Sequence, residues 1–152
     1  MISNEFRDVR DFHLKFGLLA PDGLQPVHLT QRKLGERVEF MQEELDEFKK
    51  AVETQNLAEL ADALVDLVYV AKGTAVMLNL PWDVLWAEVQ RANMAKVRGT
   101  TKRGHAVDVT KPEGWTPPLI DVVLDGHQYK RADWCKPGTS IVDEEICHDD
   151  KP

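Results

Sequence analysis

With 152 residues, 43% of them hydrophobic and 30% charged, the chain has the size and composition of one soluble domain with a proper core. A formal net charge of −7 excludes a protein whose main task is to grip nucleic-acid phosphates with lysine and arginine. No apolar run reaches the roughly 18 residues a membrane helix needs. The N-terminal stretch MISNEFRDVRDF is acidic where a secretory signal would be basic and then apolar, so a cytoplasmic protein is expected.

Four segments read as helices. The first runs from about Ser3 to Phe16, capped by Ser3 or Asn4, with Phe6, Val9, Phe12 and Phe16 along one face. Gly17 to His28 follows as a loop, punctuated by Pro21, Asp22-Gly23 and Pro26. The second helix starts after Thr30 and extends to about Thr54. Its apolar stripe is Leu34, Val38, Met41, Leu45 and Phe48. Asn56 caps a third helix reaching about Leu78, and Pro81 opens the first turn of a fourth that continues to about Arg98.

Beyond Gly99, glycines and prolines break the chain repeatedly. Leu119–Leu124 is expected as a short strand, in a hairpin with Gln128–Ala132. Residues 112–152 hold nine Asp/Glu against four Lys/Arg. Cys135 and Cys147, with His127 and His148, lack the close C-x₂₋₄-C pair of a zinc site, and two cysteines make no disulfide framework. The expected architecture is all-α: an antiparallel bundle of four main helices over residues 1–125, then an irregular acidic tail over 126–152.

The chemistry lies in the acids. On the second helix Glu36, Glu43 and Glu47 share a narrow arc at about 100° per residue, and Glu44 lies between that arc and the Met41/Leu45 stripe. Like charges three and four residues apart repel one another and destabilise a bare helix. The third helix is apolar almost all round from Leu60 to Ala71, which marks it for burial, yet it carries Glu59, Asp62 and Asp66 within about 60° of one another. Carboxylates in such a place must protonate, pair with bases such as Arg32, Lys33 or Arg37, or coordinate a metal. Acids on two facing helices make an all-oxygen site, which selects Mg²⁺ or Mn²⁺. Only four helices are available to cover the third, so a homodimer or homotetramer is expected.

Glu43-Glu44-Leu45-Asp46-Glu47, followed by Glu59-Leu60-Ala61-Asp62, resembles the E-E-x-x-E … E-x-x-D signature of the MazG-like all-α nucleoside triphosphate pyrophosphohydrolases. That group also holds dimeric dUTPases and phosphoribosyl-ATP pyrophosphohydrolases. Asp62 to Asp66 is similar to its D-x-x-x-D half-site, Asn93-Met94-Ala95-Lys96 to its N-M-x-K stretch, and Lys111–Trp115 with Pro117 to its K-x-x-G-[WY]-x-P segment. The likeness covers about residues 30–124. Gln90 stands where relatives often have His, and nothing beyond Asp125 corresponds.

The resemblance implies that Glu44, Glu47 and Asp62 ligate metal, two or three Mg²⁺ (or Mn²⁺) ions per site, with Glu43, Glu59 and Asp66 completing or supporting the set. Glu43, Glu44, Glu47 and Asp62 would be the catalytic carboxylates, one Glu serving as general base. Asn93 and Lys96 would meet sugar and phosphate, Lys111 a phosphate and Trp115 the base, and Arg37 joins them as a candidate substrate contact. The activity implied is cleavage of a nucleoside triphosphate to monophosphate and pyrophosphate. Relatives of similar size trim deoxynucleotide pools in phages, and the MazZ group among them acts on dGTP. Hence (d)GTP is the first expectation (in the host cytoplasm if phage-encoded), with dATP, dUTP or phosphoribosyl-ATP behind it. The rival from another class is a non-enzymatic acidic helical interaction module.

Overall fold

A computed structural model describes residues 4–19, 29–100 and 108–127. The fold is all-α, with one small antiparallel sheet. Five helices and two strands lie within the described residues: α1 (Asn4–Lys15), α2 (Gln31–Glu53), α3 (Leu57–Met77), α4 (Trp82–Met94), β1 (Val97–Gly99), β2 (Asp108–Thr110) and α5 (Ile120–Gly126). None of these helices is long and apolar enough to cross a membrane. The described chain divides into two compact units, one carrying α1 to α3 and ending at Leu80, the other running from Pro81 through α5.

In the first unit the helix ends fall where the capping chemistry places them. The Thr30 hydroxyl accepts the Lys33 N–H, and the Asn56 side chain accepts those of Ala58 and Glu59. At the far ends of α2 and α3, Gln55 and Asn79 turn left-handed, with φ of 54° and 50°. The next residue then returns an N–H to a carbonyl five positions back: Asn56 to Ala51, and Leu80 to Ala75. These are Schellman closures, and the first folds α3 back antiparallel against α2.

The core of this unit is built from Phe6, Val9, Ala51, Ala63, Ala75, Val76 and Leu78, joined by His13. On α1 the buried line is Phe6, Val9 and His13, so the expected Phe12/Phe16 face is corrected. A step of seven returns His13 to the Phe6 line, and Phe12, one residue back, rotates toward solvent. Phe12 packs edge-on against Tyr69, with ring centroids 5.6 Å apart. The expected burial of α3 is corrected too. Within the described chain its first half is open, with Leu57 77% and Val65 64% exposed.

In the second unit α4 ends four residues short of the expected Arg98. Ala95 caps it, and Val97–Gly99 pairs with Asp108–Thr110, Arg98 opposite Val109. The strand expected at Leu119–Leu124 is instead part of α5. Ile120, Val123 and Leu124 are its half-buried positions, the i, i+3, i+4 spacing of a helix, whereas Asp121 and Val122 face out. A run of β-branched residues is too short to separate the two periods by composition. The proposed hairpin partner Gln128–Ala132, both cysteines and His148 lie outside the described residues.

Candidate functional site

The α2–α3 hairpin sets two rows of carboxylates against each other. Glu43, Glu44 and Glu47 come from α2; Glu59, Asp62 and Asp66 come from α3. Glu44 is half-buried and the other five are exposed, so the burial expected of Glu59, Asp62 and Asp66 with their helix is corrected within the described chain. Burial pushes the Glu44 carboxyl above its usual range, and the negative charges of Asp66, Glu47, Glu43 and Asp62, in that order, push it further. Charges from both helices therefore converge on one side chain.

The bases that might have neutralised this set are used elsewhere. Arg32 and Lys33 both pair with Glu36, at 3.5 and 3.1 Å. Lys49 pairs at 2.7 Å with Asp46, which also accepts from Gln42 Nε2. Arg37 donates to the Val70 carbonyl at 2.7 Å and to the Thr74 hydroxyl at 3.0 Å, both on α3. None of the six motif acids has a salt-bridge partner among the described residues. Of the α2 acids outside the motif, Glu36 and Asp46 are neutralised, whereas Glu39 and Glu53, like the six motif acids, have no salt-bridge partner among the described residues.

Uncompensated carboxylate oxygens on two neighbouring helices fit a hard divalent cation in donor type and in charge. Among the described residues no group of three or more His, Cys, Asp or Glu side chains is already drawn together tightly enough to hold an ion. Glu carries three rotatable bonds, and these exposed side chains can converge by changing rotamer. A groove of about 380 Å³ between α1 and α3, walled by Val9, Leu64, Val65, Val68, Tyr69 and Lys72, contains none of the six acids.

The remaining candidates lie in the second unit, around the last turn of α4. Lys96 Nζ donates to the Asn93 side chain at 2.8 Å. Trp115 Nε1 donates to the Ala92 carbonyl at 2.7 Å, and Lys111 Nζ rides 4.5 Å above the Trp115 ring. The Trp115 edge and one of its faces are thus engaged within the protein. Sequence reasoning passed over Glu88 and Arg91, which organise this end. Glu88 accepts Arg91 at 2.7 Å and the Leu119 N–H at 2.9 Å, while Arg91 also reaches the Thr116 hydroxyl and the Pro117 carbonyl. Those bonds hold the Glu88 carboxyl down at about 2. The i, i+3 Glu–Arg spacing was the available signal, though it does not reveal the distant Leu119 partner.

A comparison with curated proteins finds no match. A profile of the phosphoribosyl-ATP pyrophosphohydrolase family matches residues 9–93, more than half of the chain. The matched stretch takes in both acid rows and stops at Asn93, short of Lys96, Lys111 and Trp115. With the paired acid rows on α2 and α3 inside that match, the chain belongs to the phosphoribosyl-ATP pyrophosphohydrolase family, within the MazG-like all-α superfamily.

Proposed function

We propose that this protein is a Mg²⁺-dependent pyrophosphohydrolase that cleaves the α–β phosphoanhydride of a nucleoside triphosphate, with dGTP or GTP as first substrate. The observation that carries the reading is the set of six motif carboxylates gathered on two packed helices, none with a salt-bridge partner among the described residues. Family membership supports pyrophosphohydrolase action on a nucleotide. Water attacks the α-phosphorus, the bond to the bridging oxygen breaks, and the products are monophosphate and pyrophosphate. Glu44, Glu47 and Asp62 would hold the cation, supported by Glu43, Glu59 and Asp66, and a Glu of this set takes the proton from the attacking water. Bound there, the ions would supply charge neutralisation for the polyphosphate and activation of the water. Asn93, Lys96 and Lys111 are the proposed sugar and phosphate contacts, and the open face of Trp115 is the one left for a base.

Phosphoribosyl-ATP is the second reading, favoured by the matched family's own activity. The preference for guanine rests on likeness in size and layout to phage relatives alone. The same proposal includes self-association as a homodimer or homotetramer, supported by the open apolar flank of α3. A panel of NTPs, dNTPs and phosphoribosyl-ATP, assayed with Mg²⁺ and Mn²⁺ and resolved by ion exchange, tests the function. Pyrophosphate and monophosphate should appear together, fastest with (d)GTP. Turnover of phosphoribosyl-ATP alone would move the assignment to the second reading. No pyrophosphate from any substrate would leave the acidic interaction module.

A further inference from the structure

Arg37 stands seven residues before Glu44, about two turns along the same face of α2. On α3, Val70 and Thr74 continue at steps of four the row that begins with Asp62 and Asp66. The guanidinium joins the two rows: Nη2 donates to the Val70 carbonyl at 2.7 Å and Nε to the Thr74 hydroxyl at 3.0 Å. In an antiparallel pair, each step toward the turn on α2 matches one step back on α3. Counting from this contact brings Glu44 opposite about positions 63–67, the turn that carries Asp66, and Glu47 opposite about positions 60–64, the turn that carries Asp62. The ranking of charges felt at Glu44 agrees, with Asp66 the strongest and Asp62 the weakest of the four.

The contact is built into the packing. A Cβ on Gly73 would stand 3.1 Å from Arg37 Nη2 and 2.8 Å from His13 Cε1, so a residue without a side chain is what admits both groups to the α3 backbone. His13 is buried, and its Nδ1–H donates to the Val9 carbonyl at 2.7 Å, which fixes the ring on α1. One guanidinium and one imidazole, from α2 and α1, therefore meet α3 at the same glycine. The guanidinium also lies over the Phe40 ring at 5.3 Å.

We infer that Arg37 is a positioning residue that sets the register of α2 against α3, holding Asp62 and Asp66 level with Glu43, Glu44 and Glu47, rather than a contact to substrate phosphate. The inference rests on the metal-site reading above. Nothing else in the hairpin interior ties an α2 side chain to an α3 carbonyl among the described hydrogen bonds. A fork bonded to a backbone oxygen resists sliding, because the acceptor cannot rotate away as a side chain does.

The test is Mn²⁺ affinity by electron paramagnetic resonance on the full chain, compared for wild type, Arg37→Met, Arg37→Lys and Thr74→Ala. Helicity is followed by circular dichroism, and kcat and KM are measured at saturating Mn²⁺. Loss of a residue that orients metal ligands weakens metal binding by about 10–100-fold, the range expected for Arg37→Met, with nucleotide KM at saturating Mn²⁺ changed less than about twofold. Arg37→Lys should recover only part of the loss, since an ammonium lacks the fork. Thr74→Ala keeps the Val70 bond and should lose less. If Arg37→Met fails to fold, weakened Mn²⁺ binding in a folded Thr74→Ala supports the inference, and wild-type binding there overturns it. An Arg37→Met protein with wild-type Mn²⁺ affinity and a raised KM would make Arg37 a substrate contact. Wild-type protein that binds no Mn²⁺ would remove the metal site itself, and the register argument with it.

Discussion

Asp46 and Glu47 are adjacent on one helix and differ in everything that matters for chemistry. Lys49 and Gln42 hold the Asp46 carboxylate, whereas Glu47 has no cationic partner among the described residues and adds its charge to the field at Glu44. Glu47→Gln, and likewise Asp62→Asn, should reduce pyrophosphate release to background while leaving the helical circular dichroism unchanged. Full activity in either variant would dispose of the metal site. Glu88 permits a prediction with a definite sign. Its pKa lies at about 2 in the folded chain against 4.5 for the free group, chiefly through Arg91 and then the Leu119 N–H. The stabilisation is complete above pH 4.5 and is lost as pH falls from there toward about 2. Glu88→Gln should therefore remove part of the acid-limb loss of thermal stability over that interval, and equal acid sensitivity in both proteins would refute it.

At the scale of elements, the α2–α3 hairpin depends on a three-residue connection, Thr54-Gln55-Asn56, that ends one helix and starts the next. Asn56 serves both sides: its side chain caps α3, and its N–H closes the α2 terminus on Ala51. Asn56→Ala removes only the side-chain half and should cost about 1 kcal/mol in urea-induced unfolding. No change would show the cap to be replaced by water. The hairpin was legible in advance because Thr30 and Asn56 sit immediately before apolar periodic segments, a local signal that distant contacts seldom override. The end of α4 and the whole of α5 were not. Nothing near Arg98 says that Asp108–Thr110 will pair with Val97–Gly99, and nothing near Leu119 says that Glu88 will take its N–H. Both outcomes come from partners ten or more residues away.

At the scale of the molecule, the composition of α3 and its exposure disagree, and the disagreement is informative. A helix apolar around its circumference belongs in an interior, yet Leu57, Val65 and Val68 of the described chain stand open. Burying them in a partner copy removes apolar area at about 25 cal/mol per Å². The mass from multi-angle light scattering should be that of two or four chains, and a monomer would leave the flank unexplained. By itself the sequence determined the helical class, the two caps of the central hairpin and which acids share a face, because periodicity and capping act over a few residues. The pairs that neutralise Glu36 and Asp46 are local ones, three and four residues apart, but the fate of Arg37 was decided by the tertiary structure. It spends Arg37 on the Val70 carbonyl and Thr74 of a helix more than thirty residues away, so that base never reaches the carboxylates. A partner three or four residues away can be read from spacing, but one on another helix is a matter of three-dimensional proximity, and local spacing carries no record of it.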